Sequence, residues 1–172
     1  MDLEQRESFC IVERGALRLA LSAGAVRRVL SGGTLTRVPG APAQLVGLVD
    51  DRGTALPVVR LDDWLGLLPR ACTSGDAVVV VESDGLRFGV LVDRVEGVAL
   101  LAEAMPAGEA ALRDPPAPDL IAVCRRSPRG PVAVLAAGAL AQAAVAAADH
   151  AFAHARPRPA PWCDSSEGGC AA

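Results

Sequence analysis

The sequence predicts a mainly β protein, built as small barrels or a sandwich and followed by a C-terminal helix. Three observations predict it. Roughly nine or ten short apolar or alternating runs recur at about 8–12-residue spacing. Turn-forming pairs such as Asp84-Gly85 separate those runs. The strand–helix alternation of a doubly wound α/β domain does not occur.

Residues 8–14 and 16–22, joined at Gly15, read as a β-hairpin. In the segment 24–33, Val26, Val29 and Leu30 fall at helical spacing and a Gly-Gly pair follows, so one or two helical turns are expected. Residues 34–42 are extended and then turn. Residues 44–50 and 54–60 form two runs flanking Asp50-Asp51-Arg52-Gly53. A short helical turn follows, closed by Gly66 and Pro69, and residues 70–75 are a polar break. Residues 76–83 and the long run 86–101 read as strands across Asp84-Gly85, the strongest hairpin signal in the chain. Residues 103–118 are rich in Pro and Ala and read as a loop. Residues 120–126 and 131–136 are strands across a Ser-Pro-Arg-Gly turn. Residues 136–155 are alanine-rich and helical. The Pro/Gly/Ser-rich end reads as disordered. The expected organisation is an N-terminal arm at 1–7, one domain at 8–148 and a flexible tail at 149–172.

Composition excludes several functions. Apolar residues make up 51 % of the 172, enough for a sizeable core, yet aromatics are only 3 % and tyrosine is absent. Single-stranded nucleic-acid binding relies on stacking rings, so it is disfavoured. The net charge of −3 comes with no evident basic patch, which argues against nucleic-acid partners generally. All 17 basic residues are arginine. Without lysine there is no Schiff-base chemistry and no phosphate-loop lysine. The polar, acidic start is neither a signal nor a transit peptide, and no run approaches the ~18 apolar residues needed to span a membrane. Five scattered cysteines fit a reducing cytoplasm better than a disulfide framework.

No catalytic constellation emerges. The two histidines, His150 and His154, lie close to the C-terminal tail, and no G-x-S-x-G elbow or Gly-rich nucleotide loop is present. The acid pairs Asp50/Asp51 and Asp62/Asp63 are adjacent, which on a strand sends their side chains to opposite faces. They read as solvated turns and helix N-caps. His150 and His154, with Cys163 and Cys170, supply the ligand types of a zinc site. The wide cysteine spacing favours a solvated helix end and tail instead, so neither a metal nor a cofactor is expected. Among single residues, Gly53 suits a positive φ in a turn, Pro57 an edge strand or a strand start, Trp64 a core cap under the short helix, and Asp93 a backbone cap. Val26, Val29, Val90 and Val92 read as core before contact.

The order of motifs over residues 8–142 resembles the CheW-like domain of bacterial chemotaxis coupling proteins. Val38-Pro39-Gly40-Ala41-Pro42 is similar to the family's V-P-x-x-P element. Gly47, Arg52, Gly53, Pro57 and Val58 are similar to its G-x-x-x-x-R-G-x-x-x-P-[VI] signature, and residues 89–98 form a second strong match. The resemblance implies two small SH3-like five-stranded β-barrels around a shared apolar core, and an adaptor without catalytic activity. It also implies partners: the cytoplasmic hairpin tip of chemoreceptors and the regulatory domain of the chemotaxis histidine kinase. Self-association into rings or arrays is a further possibility, with recruitment to membrane-associated receptor arrays. The partner-binding residues it implies, together with its points of departure, are Val26, Arg28, Asp50, Asp51, Arg52, Gly53, Pro57, Val58, Val92 and Asp93. Asp50-Asp51 stands where the family often has Asn-Leu, and Arg28 where it commonly has an acid. If that acid neutralises the signature arginine, Asp50 or Asp51 can replace it, or Arg28 and Arg52 can face an acidic partner. The alternative reading is a CheW-like scaffold or localisation factor of a non-standard chemosensory system that has lost receptor binding.

Overall fold

Two sheets wrap around three apolar clusters. The computed structural model describes residues 7–101, 104–105 and 115–154. Its strands are β1 (Ser8–Arg14), β2 (Leu17–Ser22), β3 (Val26–Ser31), β4 (Leu45–Asp51), β5 (Thr54–Arg60), β6 (Ala77–Ser83), β7 (Leu86–Val92), β8 (Arg94–Leu100), β9 (Ala104–Met105), β10 (Ile121–Ser127) and β11 (Gly130–Leu135). Helix α1 is Asp62–Leu65 and α2 is Ala137–His154.

The first sheet runs β8-β1-β2-β11-β10-β9 and the second β3-β6-β7-β5-β4. Most neighbours are antiparallel. The pairs β2/β11 and β5/β7 are parallel and carry the crossovers. The chain therefore starts in the first sheet, builds the whole of the second, and returns to the first at Asp93, between β7 and β8.

Period-two alternation explains how these runs fill three clusters at once. In β6, Val78 and Val80 point into the second sheet's interior, while Val79 and Val81 point into the core shared by both sheets. In β1, Phe9 and Ile11 enter the first sheet's interior, and Cys10 and Val12 enter the shared core. Strands buried on both faces need continuous apolar runs, which is why residues 78–81 are four valines. Helix α2 adds Leu140 and Ala141 to the shared core. Gly89 sits where only hydrogen fits, since a Cβ there would stand 2.5 Å from Val78 Cγ1.

Two expectations change. Residues 26–31 form strand β3, not helix. The backbone edge of β6 offers hydrogen bonds to a partner, and the stiff β-branched Val26 and Val29 suit a pleat. Burial along β3 alternates residue by residue, a period of two that the helical spacing of its apolar residues concealed. Part of the expected 103–118 loop is strand: Met105 and Ala104 pair with Cys124 and Arg125, giving the first sheet six strands instead of five. Residues 106–114 of that loop lie outside the described residues. Helix α2, Ala137–His154, falls within the 136–155 expected to be helical. The rest of the tail, and the side chains of His150 and His154, lie outside the described residues, as do Cys163 and Cys170.

Candidate functional site

Strands β4 and β5 pair down to Asp51–Thr54, which leaves Arg52-Gly53 as a two-residue turn. Its φ values are +55° at Arg52 and +84° at Gly53, the left-handed pair of a type I′ hairpin. Glycine meets this without strain, whereas arginine is an uncommon residue there. Asp50 Oδ1 accepts a hydrogen bond from the Gly53 N–H at 2.7 Å and closes the turn. The Arg52 guanidinium is exposed and makes no ion pair among the described residues.

Asp51 points the other way. Its side chain is 2 % exposed, and Oδ1 lies 2.7 Å from Arg28 Nη1, with Arg87 Nη1 at 3.8 Å from Oδ2. The Arg28 contact is an ion pair more than a directed hydrogen bond, since Oδ1 accepts no well-aligned N–H. The expectation of solvated acids therefore holds for Asp50 and fails for Asp51. Alternation turns Asp51 off the solvent face, and burial there requires a nearby cation. Because β3 and β4 are the two edges of the second sheet, the pair Arg28–Asp51 links edge to edge.

The other predicted positions are dispersed. Val26 is half-buried against the shared core. Val58 fills the second sheet's interior and Val92 the shared core, both fully buried, so neither side chain offers a contact surface. Pro57 is half-buried opposite Leu48 on β5, which is an inner strand and not an edge. It is tolerated there because pairing with β7 begins only at Val58.

The signature glycine Gly47 has a steric role. A Cβ there would overlap the carbonyl oxygen of Thr36. That close approach lets Thr36 and Leu48 exchange two 2.8 Å backbone hydrogen bonds. The segment that follows turns at Val38–Ala41, with Gly40 at φ +73°, and is anchored again by Leu45 N–H donating to Pro42 O at 3.0 Å. The two signature pieces thus meet on one side of the second sheet.

Asp93 belongs to a separate cluster at the junction of the sheets. Arg14 donates from Nε and Nη2 to Asp62 Oδ1 and Oδ2 at 2.7 and 2.6 Å, and from Nη1 to Asp93 Oδ1 at 2.8 Å. The Gly15 N–H donates to Asp93 Oδ2 at 2.8 Å, the backbone cap expected of this aspartate. Arg70 Nη2 bridges Asp93 and Asp76 at 2.6 Å each, and Asp76 also accepts from Thr73 N–H and Oγ1. Burial pushes the Asp93 carboxyl up, but donation from Arg70, Gly15 and Arg14 outweighs it and holds its pKa below the ordinary value. Asp76 is likewise held down: burial opposes, and Thr73 and Arg70 prevail. The hydrogen bonds that Arg14 donates to Asp62 above all raise the pKa of Arg14, against its burial. The cluster ties the β1–β2 turn, α1, the β7–β8 crossover and the segment before β6. Sequence reasoning missed Arg14, Asp62, Arg70 and Asp76 as a unit. Asp62 was read as a solvated helix cap, yet it is 1 % exposed and receives Arg14.

Among the described residues, no cluster of three or more metal-ligating side chains occurs, and no helix is long and apolar enough to cross a membrane. Cys10, Cys72 and Cys124 are free thiols.

Three comparisons bear on this arrangement. A family model described as CheW-like domain matches residues 8–144. A probable chemotaxis protein CheW of Rhizobium etli is 32 % identical over 63 residues, 37 % of this chain and 41 % of that protein, so the match spans about two-fifths of the relative's length. The crystal structure of scaffolding protein TtCheW from Thermoanaerobacter tengcongensis is similar with a TM-score of 0.65 at 18 % identity, covering 77 % of this chain and 90 % of that one. That likeness is one of fold: two SH3-like subdomains, corresponding to the two sheets here.

Proposed function

Because the chain belongs to the CheW-like domain family, a non-enzymatic scaffolding family of chemotaxis, we propose that it is the adaptor that couples chemoreceptors to a chemotaxis histidine kinase. On this reading it binds the receptor's cytoplasmic hairpin tip and the kinase's regulatory domain. The observation that carries the proposal is the exposed Arg52 on a rigid type I′ turn, within the family signature and flanked by Asp50 and the Arg28–Asp51 pair. Arginine is over-represented among residues that dominate interface energies, and a turn pinned by its own hydrogen bond loses little entropy on binding. A helical hairpin is recognised through spaced apolar anchors, with charge at the rim selecting the partner.

The test is co-purification of the folded chain with a receptor signalling domain and with the kinase's regulatory domain from the native host. Capture of both supports coupling, and capture of neither ends it. One observation favours the second reading, a scaffold without receptor binding: Asp51 already neutralises Arg28, so that charge is not free for a partner. That scaffold would retain the kinase domain alone. The edge of β8, unpaired among the described residues and with Val98 70 % exposed, supports array assembly through edge contacts.

A further inference from the structure

Most described arginines make ion pairs with acids, Arg14, Arg28 and Arg70 among them. Arg37 and Arg60 make none among the described residues, and they converge. Both line one cavity of about 210 Å³ on the second subdomain, with Val38, Pro42, Val46 and Cys72 among its walls. A neighbouring cavity of about 240 Å³ shares Arg37, Val46 and Cys72. Among the described residues, no carboxylate lines either one. Arg60 Nε is buried and has no hydrogen-bond partner among the described residues, although the Arg60 backbone is fixed by its N–H donating to Gln44 O at 2.8 Å. A desolvated guanidinium donor without an acceptor is unfavourable until something supplies the oxygen.

We propose that Arg37 and Arg60 form a carboxylate-binding pocket that takes an acidic side chain, flanked by apolar residues, from a segment of a partner protein. The guanidinium fork matches a carboxylate in shape as well as charge. The walls formed by Val38, Pro42 and Val46 suit apolar neighbours of that acid. Each cavity is smaller than the ~300–1,000 Å³ of small-molecule sites, so one side chain fits where a cofactor does not. A nucleic acid is disfavoured, because two arginines on a chain of net charge −3 neutralise too few phosphates. The Cys72 thiol, pushed up by burial and then by Asp76, stays neutral and adds no competing charge. The inference takes from the adaptor reading only that the ligand is protein, and its test uses the isolated chain, so the two stand or fall separately.

The probe is a capped, fluorescein-labelled octapeptide alternating Leu and Glu, titrated with the full chain and followed by anisotropy. Saturable binding is expected, weakened about tenfold by Arg60→Gln and about tenfold by Arg37→Gln, since a charge-assisted hydrogen bond is worth at least that factor. Arg37 is exposed, so its variant keeps the fold even if Arg60→Gln does not. Arg52→Asn should leave this binding unchanged. The proposal is overturned if both arginine variants bind like the parent chain, or if a Leu/Gln peptide binds equally well. Displacement of the peptide by millimolar inorganic phosphate, itself dependent on Arg60, would assign the pocket to a small anion and overturn it too.

Discussion

Arg28 Nη1 stands 2.7 Å from Asp51 Oδ1, joining the two edge strands of the second subdomain. The resemblance to the CheW-like domain marks both positions as expected departures, an arginine where an acid is common and an aspartate beside the signature arginine. Their opposite charges meet in the fold. The positive charge on β3 finds its counter-charge 23 residues later, on β4, because sheet curvature brings the first and last strands into contact.

Among the described residues, Arg28→Ala leaves the buried Asp51 carboxylate with Arg87 alone, at 3.8 Å. A loss of about 1–3 kcal/mol is expected. In a double-mutant cycle with Asp51→Ala, the coupling energy should fall within the ~0.5–3 kcal/mol of contacting residues. Additive effects in urea unfolding would show that the pair does not hold the edges.

The junction cluster should matter more. Arg14 and Asp62 are 2 % and 1 % exposed. Arg14→Met strands a buried carboxylate and should cost about 3–5 kcal/mol, while Arg14→Met with Asp62→Leu should recover most of it, because an apolar pair carries no desolvation penalty. A single variant as stable as the parent chain would contradict the network.

Two glycines of the signature separate steric crowding from backbone strain. Gly47→Ala forces Thr36 off β4 and should cost about 1–3 kcal/mol. Gly53→Ala meets nothing within 4 Å and pays only for φ +84°, about 1–2 kcal/mol. Hydrogen exchange discriminates further: Gly47→Ala should expose the Leu48 amide, and Gly53→Ala should not.

Acid should loosen the fold in a defined window. Arg18 holds the Glu96 carboxyl down to about 2, and Asp93 and Asp76 also lie below their ordinary values. A carboxyl whose folded pKa is depressed stabilises the fold above its unfolded pKa and loses that contribution as pH falls through the folded one. Stability should therefore decline from about pH 4.5 toward pH 2. Arg18→Gln should shrink the decline, and a urea midpoint unchanged between pH 5 and 3 would refute it.

Arg52→Asn removes the guanidinium and keeps a residue that tolerates a left-handed turn, giving the favoured Asn-Gly pair. Stability should stay equal or rise slightly, while partner capture falls at least fivefold, the scale of an interface residue worth more than 1 kcal/mol. Unchanged capture of receptor and kinase domains would remove Arg52 from the partner surface.

Much of the fold was legible along the chain. Hairpins announced themselves at Gly15, Arg52-Gly53 and Asp84-Gly85, where local turn chemistry decides the structure, and helix α2 followed from alanine content. Strand β3 was misread because six residues with two valines and a leucine satisfy helical and strand spacing alike, and only pairing with β6 breaks the tie. Strand β9 was missed because a two-residue strand has no periodicity to detect.

The candidate site divides along the same line. Residue order alone carries the resemblance to the CheW-like domain and the Arg52-Gly53 turn, since these rest on residue types and short spacings. Tertiary packing decided which acids are buried, that Asp51 answers Arg28, that Arg14 grips Asp62 across 48 positions, and that Arg37 and Arg60 share a cavity. Side chains that alternate across a pleat reveal which face they take, but not what a curled sheet brings opposite them. Charge pairing acts through space over a few ångströms, and only the closed fold sets those distances.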